Sequence, residues 1–224
     1  MSMEIITGTN GIPGLMDALN EHGAFVSVEE ESGLGDYTKF VSYYVSEKSR
    51  LRAGFIAEGT AGDRWIETRH RDNDVYVAIY GTGSTATSNT QAWKIIKFDT
   101  GFLFGISKYS DVSSVYLSAF IGKTVDEDGN ESMGIAAFPI GSATSTNVMT
   151  DNNPGAKDTQ SLHLIDSPFS TKLSQVYALN CLDKFKDVFV IHQAPYKTER
   201  RFTLNGEYFY TNYYGNMAIR FGGL

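Results

Sequence analysis

The sequence predicts a mainly β fold: antiparallel β-sandwich or barrel-like units with one short N-terminal helix. Three observations carry this. After Gly23 the chain breaks into short runs rich in Val, Ile, Tyr, Phe and Thr, set roughly ten residues apart by turn residues, as in sandwiches and barrels. Only one segment has helical spacing. Near the C-terminus Asn205-Gly206 sits between two apolar runs, the strongest short-range signal for a hairpin.

The helix comes first. Ile12, Leu15, Met16 and Leu19 fall at i, i+3, i+4 and i+7, on one helical face. Asn10 is placed to cap it, Pro13 is tolerated in the first turn, and Gly23 follows the last periodic residue. Strands are then expected at 24–28, 37–45, 51–57, 63–68 and 75–80, with 29–35 as a turn. Val75 to Tyr80 has no polar face, so it reads as buried on both sides. The polar stretch 81–91 is the best internal boundary, dividing a helix-plus-β unit at 1–82 from an antiparallel β unit at 92–224. Two closely packed β units are preferred to two sheets of one domain.

In the second stretch strands are expected at 92–98, 101–108 and 113–121. A hairpin partner follows at 133–139, and further strands at 161–165, 175–182 and 187–193. A long polar loop fills 141–159, and loops of such length are commonly functional or disordered. The end reads as a hairpin: Arg201 to Leu204, Asn205-Gly206, then Glu207 to Tyr210, with a closing strand from Met217 to Phe221.

Composition narrows the function classes. Of 224 residues 42% are hydrophobic and 20% charged, which suits a folded chain able to bury a core. A net charge of -7 argues against a nucleic-acid binder, which needs a basic face to displace counterions. The basic residues Arg64, Arg69, His70 and Arg71 are offset by Asp63, Glu67, Asp72 and Asp74 and read as solvated strand charge. The lone Cys181 excludes an internal disulfide. No signal peptide is expected at the start, and no run reaches the roughly 18 apolar residues of a membrane span, so cytoplasmic synthesis is the expectation. Aromatic residues are abundant, with 13 Tyr and 14 Phe, which suits both sheets and protein interfaces.

Each candidate for chemistry has a structural alternative that its spacing favours. His22, His70, His163 and His192 show no metal-ligand spacing. Asp126 to Glu131 resembles a calcium loop, but Ile135 stands where a bidentate Glu is required, so a hairpin turn is expected. No Gly-x-Ser-x-Gly elbow and no Walker-type Gly-Lys-Ser/Thr motif is recognised, and Gly81 to Thr85 lacks the third glycine of a dinucleotide fingerprint. A carboxylate pair for glycoside hydrolysis has no sequence spacing to recognise. No cofactor, metal or catalytic residue is therefore expected. Trp65 and Trp93 could stack on sugars, though core packing among alternating apolar residues is the simpler reading.

The stretch Phe202 to Tyr210 (FTLNGEYFY), followed by Gly215 to Arg220 (GNMAIR), resembles the ends of tailed-bacteriophage structural proteins. The helix Ile12 to Asn20 and the following Glu21 to Phe25 (EHGAF) are similar to their beginnings. The resemblance covers the first thirty or so and the last twenty or so residues. It implies a non-catalytic virion subunit of the tail, neck or baseplate, assembled in the host cytoplasm as a homo-oligomer with other virion proteins. It leaves open a capsid decoration protein. A carbohydrate- or receptor-binding module at a tail tip, meeting a host glycan, is a further alternative. Candidate interface or ligand contacts are Trp65, Trp93, Tyr208, Tyr210, Tyr213 and Tyr214. Neither nucleic acid nor membrane is an expected partner.

Overall fold

A computed structural model gives the fold and describes residues 2–32, 37–47, 49–56, 65–70, 76–81, 91–107, 109–117, 119–125, 128–137, 177–178, 184–185, 187–190, 199–211 and 217–223. The architecture is mainly β, with three antiparallel sheets and, among the described residues, one α-helix.

The chain opens with a strand that the sequence reading missed, β1 (Met3–Gly8), ahead of α1 (Gly11–Glu21). β1 lies at a sheet edge and its burial does not alternate, so the period-2 signal is absent. The helix itself follows from its apolar face: Ile12, Leu15, Met16 and Leu19 are all fully buried. Its C-terminus closes as a Schellman motif, with Gly23 at φ +81°. The Ala24 N–H bonds the Leu19 carbonyl and the Gly23 N–H bonds the Asn20 carbonyl. Asn10 precedes the helix but makes no side-chain cap, because its side chain is engaged elsewhere.

One sheet runs β2 (Ser27–Ser32), β3 (Tyr37–Tyr44), β4 (Ser49–Ile56), β5 (Trp65–His70) and β6 (Tyr76–Gly81), each paired with the next. Glu29 to Ser32, expected as a turn, belong to β2 and pair with β3 from Glu29↔Ser42 to Ser32↔Lys39. The run of glutamates has poor strand propensity, and partners across the sheet override it: Ser42 Oγ donates to Glu31 at 3.0 Å, and Arg52 on β4 bonds Glu31 at 3.1 Å.

The largest sheet has the order β1, β7 (Trp93–Phe98), β8 (Gly101–Ile106), β9 (Ala119–Val125), β10 (Glu131–Ala137) and β11 (Tyr177–Ala178), and β12 (Lys184–Phe185) also pairs with β9. β1 pairs with β7 from Met3↔Phe98 to Gly8↔Trp93, reaching across the segment 81–91. The strand expected at 113–121 begins instead as a 3-10 turn, Val112–Ser114, capped by Asp111; the chain is extended again at Val115 and joins the sheet as a strand at Ala119. Gly129, at φ +86°, turns the chain between β9 and β10, as a hairpin requires.

The third sheet has the order β13 (Val188–Val190), β16 (Met217–Gly223), β15 (Glu207–Thr211) and β14 (Arg200–Leu204). Asn205 and Gly206 link β14 to β15 with φ of 50° and 82°, the positive pair of a type I′ turn. Residues 82–90, the loop 141–159 and the expected strand 161–165 lie outside the described residues.

The largest sheet is the middle layer. Residues of α1, of β3 and β4, and Trp93, Ile95, Phe102, Phe104 and Ile121 form one continuous core on one face. On the other face Phe98 meets Tyr210 and Phe221 of the third sheet, with ring centroids 6.1 and 5.8 Å apart.

Candidate functional site

The six aromatic residues singled out by sequence separate into distinct environments. Trp93 is 5% exposed and belongs to the core. Its indole N–H donates to Asn10 Oδ1 at 2.7 Å, so it presents no ring to a ligand. The backbone of Trp65 starts β5. Tyr210 is buried, and its hydroxyl donates to Glu199 Oε2 at 3.3 Å, an oxygen that also receives Lys94 Nζ at 2.6 Å. Burial, followed by the charge of Glu199 and its hydrogen bond, holds the Tyr210 pKa well above the ordinary tyrosine value. Among those with described side chains, Tyr208 is the exposed one, at 38%. Tyr213 and Tyr214 lie outside the described residues, as do Cys181, His163 and His192.

Three open hollows share Lys123. One, of about 280 Å³, is lined by Glu4, Lys97, Asp99 and Thr100. A second, of about 450 Å³, is lined by Asp99, Thr100, Asp187, Glu207 and Arg220. A third, of about 590 Å³, is lined by Val26, Val45, Glu47, Glu131 and Met133. Strand pairing puts Lys123 there. On one edge of β9, Gly122 pairs with Gly101 and Thr124 pairs with Phe185, so Lys123 stands where β8 hands over to β12. Its N–H bonds the Thr100 carbonyl at 3.0 Å, while its side chain is exposed.

Three of the charged groups around the second hollow, Arg220, Asp187 and Glu207, already pair with one another. Arg220 bonds Asp187 Oδ1 through Nε at 2.8 Å and Nη2 at 2.6 Å, and Glu207 through Nη1 at 2.7 Å. Burial opposes its charge, but the hydrogen bonds and charges of these carboxylates outweigh burial and raise its pKa. A guanidinium held this way has little left for an anionic ligand. Sites for small molecules enclose most of the ligand, and these hollows are open with mixed charge.

Sequence reasoning passed over Gly122-Lys123-Thr124, the triplet that ends a P-loop pattern. The triplet lies within β9, and Leu117 stands where the first glycine of that pattern would be. A phosphate cradle needs a loop opening a helix, so this triplet is strand. Among the described residues no group of three or more His, Cys, Asp or Glu could hold a metal ion. The Asp111 carboxylate accepts from the Ser113 N–H and hydroxyl at 2.9 and 2.5 Å, which lowers its pKa and caps the 3-10 turn.

Strand edges are the other prominent surface. β1, β2 and β14 each end a sheet, so among the described residues no strand pairs with their outer edges. Exposed large apolar side chains lie on or beside these edges: Ile5 at 53% on β1, and Val26 at 72% and Val28 at 43% at β2. Unpaired N–H and C=O groups with apolar side chains beside them are a template for another strand. Comparisons with protein-family models, curated proteins and solved structures return no match to this chain.

Proposed function

We propose that this chain is a non-catalytic structural subunit of a phage virion, of the tail, neck or baseplate, acting through protein–protein assembly contacts. The observation that carries this reading is the set of strand edges that no described strand pairs with, bordered by exposed Ile5, Val26 and Val28. A protein that works alone is expected to shield its edges by shortening, covering or bulging them. The phage-like termini supply the setting, and Tyr208 on β15 offers an aromatic contact of the kind interfaces favour. The partners would be further copies of the chain and other virion proteins, met after synthesis in the host cytoplasm.

The test is direct. Purified particles are probed by peptide mass spectrometry and by immunogold labelling with an antibody to this chain. Stoichiometric peptides and label at one position along the particle are expected. Particles that carry neither would overturn the reading.

A further inference from the structure

We propose that the outward face of the β2–β6 sheet binds a carboxylate between Arg50 of β4 and Arg69 of β5, and that the ligand is an acidic polysaccharide carrying uronic acids. The inference goes beyond the assembly reading and does not depend on it.

Val41 and Tyr43 of β3 and Leu51 and Ala53 of β4 lie in the core. Successive residues of a strand alternate between faces, so Ser42, Tyr44, Arg50 and Arg52 stand on the face turned away from it. Pairing lines up one row across four strands there: Tyr44↔Arg50, Arg50↔Arg69 and Arg69↔Tyr76. Two arginines are thus directly opposite one another, between two tyrosines. Along the chain Arg69 is balanced by nearby acids, but the register brings Arg50 against it from outside that stretch. Directly opposed like charges destabilise a sheet, and an anion between them offsets this.

The next row is already compensated. Arg52 stands opposite Glu67 and bonds Glu31 at 3.1 Å, and its guanidinium lies over the Phe40 ring at 4.2 Å. Arg50 has a different partner. Its Nη1 donates to the Tyr44 hydroxyl at 2.7 Å, and its guanidinium carbon is 5.4 Å from the centre of that ring. Among the described residues Arg50 bonds no carboxylate, and its Nε is buried without an acceptor. Tyr44 therefore orients the guanidinium through one of its several donors and leaves its charge unmatched. Arg50 is half-buried, so with Nε covered the Nη edge is what an incoming carboxylate meets. The planar guanidinium fork suits that group.

The surroundings select among anions. Glu31 bonds Arg52 on this face, Glu67 stands opposite Arg52, and the whole chain carries a net charge of -7. A nucleic acid, with its unbroken line of phosphates, meets repulsion on every side of the two arginines. A polymer with one carboxylate per ring places a single charge at the pair and its uncharged hydroxyls beside the glutamates. The tyrosine at each end of the row supplies the residue type on which a sugar ring packs, and Tyr44 is half-buried and held by Arg50. An acidic peptide would match the arginines but has no ring to set against the tyrosines.

The experiment uses the full chain, with oligogalacturonate as the probe in titration calorimetry. Binding is expected, weakening as salt rises. The methyl-esterified oligomer keeps the rings and removes the charge, and is expected to bind about tenfold more weakly or worse, as are single-stranded DNA and poly-glutamate. Arg50→Gln and Arg69→Gln, shown to be folded by their urea midpoints, are each expected to weaken binding about tenfold, whereas Arg201→Gln on β14 leaves it unchanged. Phenylglyoxal modification needs no variant: bound oligomer is expected to shield Arg50 in peptide mass spectrometry and to leave Arg201 reactive. No binding by wild type, equal binding of the ester, of DNA or of poly-glutamate, folded variants that bind as wild type does, or Arg50 modified equally with and without the oligomer would each overturn the proposal. Detection of the chain in particles does not depend on this site, so the two readings fail separately.

Discussion

Trp93 shows how much of this fold depends on single atoms. Its ring lies over Gly8, the residue opposite it on β1, where a Cβ would overlap the indole. Its N–H reaches Asn10, whose amide in turn lies over Gly14 in the first turn of α1. Two glycines thus make room for one hydrogen bond that joins β1, α1 and β7. Gly14→Ala tests this, because helix propensity alone would make it stabilising by about 1 kcal/mol. The added methyl group displaces the Asn10 amide and leaves a buried indole N–H without an acceptor. A net loss of about 1–3 kcal/mol is expected in urea unfolding, with faster solvent exchange of the Trp93 indole proton. A variant as stable as wild type would remove the lock from the account. The sequence offered Asn10 as a helix cap, a local use that residue type alone supports. The partner that displaces that use is 83 positions away, beyond the reach of any local pattern.

Elements were legible where their own residues decide them. The apolar face of α1, the glycine after it and the Asn205-Gly206 turn all depend on neighbours within a few positions, and all stand as expected. β1 and β2 were misread because they are edges. Half-exposed strands need no alternation, and the glutamates of β2 are held by Ser42 and Arg52 from two other strands. The candidate interface was hidden for the same reason. Glu199, just before β14, plays the corresponding role in the third sheet: it binds Lys94 of β7 and Tyr210 of β15, tying that sheet to the middle layer. Lys94 and Glu199 are 16% and 15% exposed. Glu199→Ala leaves the ammonium and the phenol without their shared acceptor and is expected to cost about 1–3 kcal/mol. Amide exchange should rise first in β14 to β16 and only later in β7 to β9, as the third sheet opens on its own. Uniform acceleration across both sheets would show that Glu199 does not hold this seam.

At the scale of the whole molecule, the middle sheet is covered on both faces, and each cover contributes a buried tyrosine. Tyr43 lies in the core shared by α1, the β2–β6 sheet and the middle sheet, and Tyr210 lies where the third sheet meets β7. Burial raises the pKa of both above the ordinary 10.0, reinforced at Tyr43 by the charges of Asp17 and Glu30 and at Tyr210 by Glu199. In the unfolded chain each phenol ionises near 10.0, while in the fold it keeps its proton. The folded state therefore binds more protons above that pH, and stability falls as pH rises. Their contribution is fully present below 10.0 and is lost toward the raised values. The slope per tyrosine is at most about 1.4 kcal/mol per pH unit, less where water at the ring edge screens the charge. Urea midpoints measured on either side of pH 10.0 should show this decline. Tyr43→Phe combined with Tyr210→Phe should flatten it, whatever the double variant loses at neutral pH, because a Phe ring has no proton to release. A decline of equal slope in that variant would place the alkaline sensitivity elsewhere in the molecule. Since the two rings flank opposite faces of the middle sheet, the single variants separate the layers. Each should remove part of the slope, and their effects should add, as expected for sites with no shared partner.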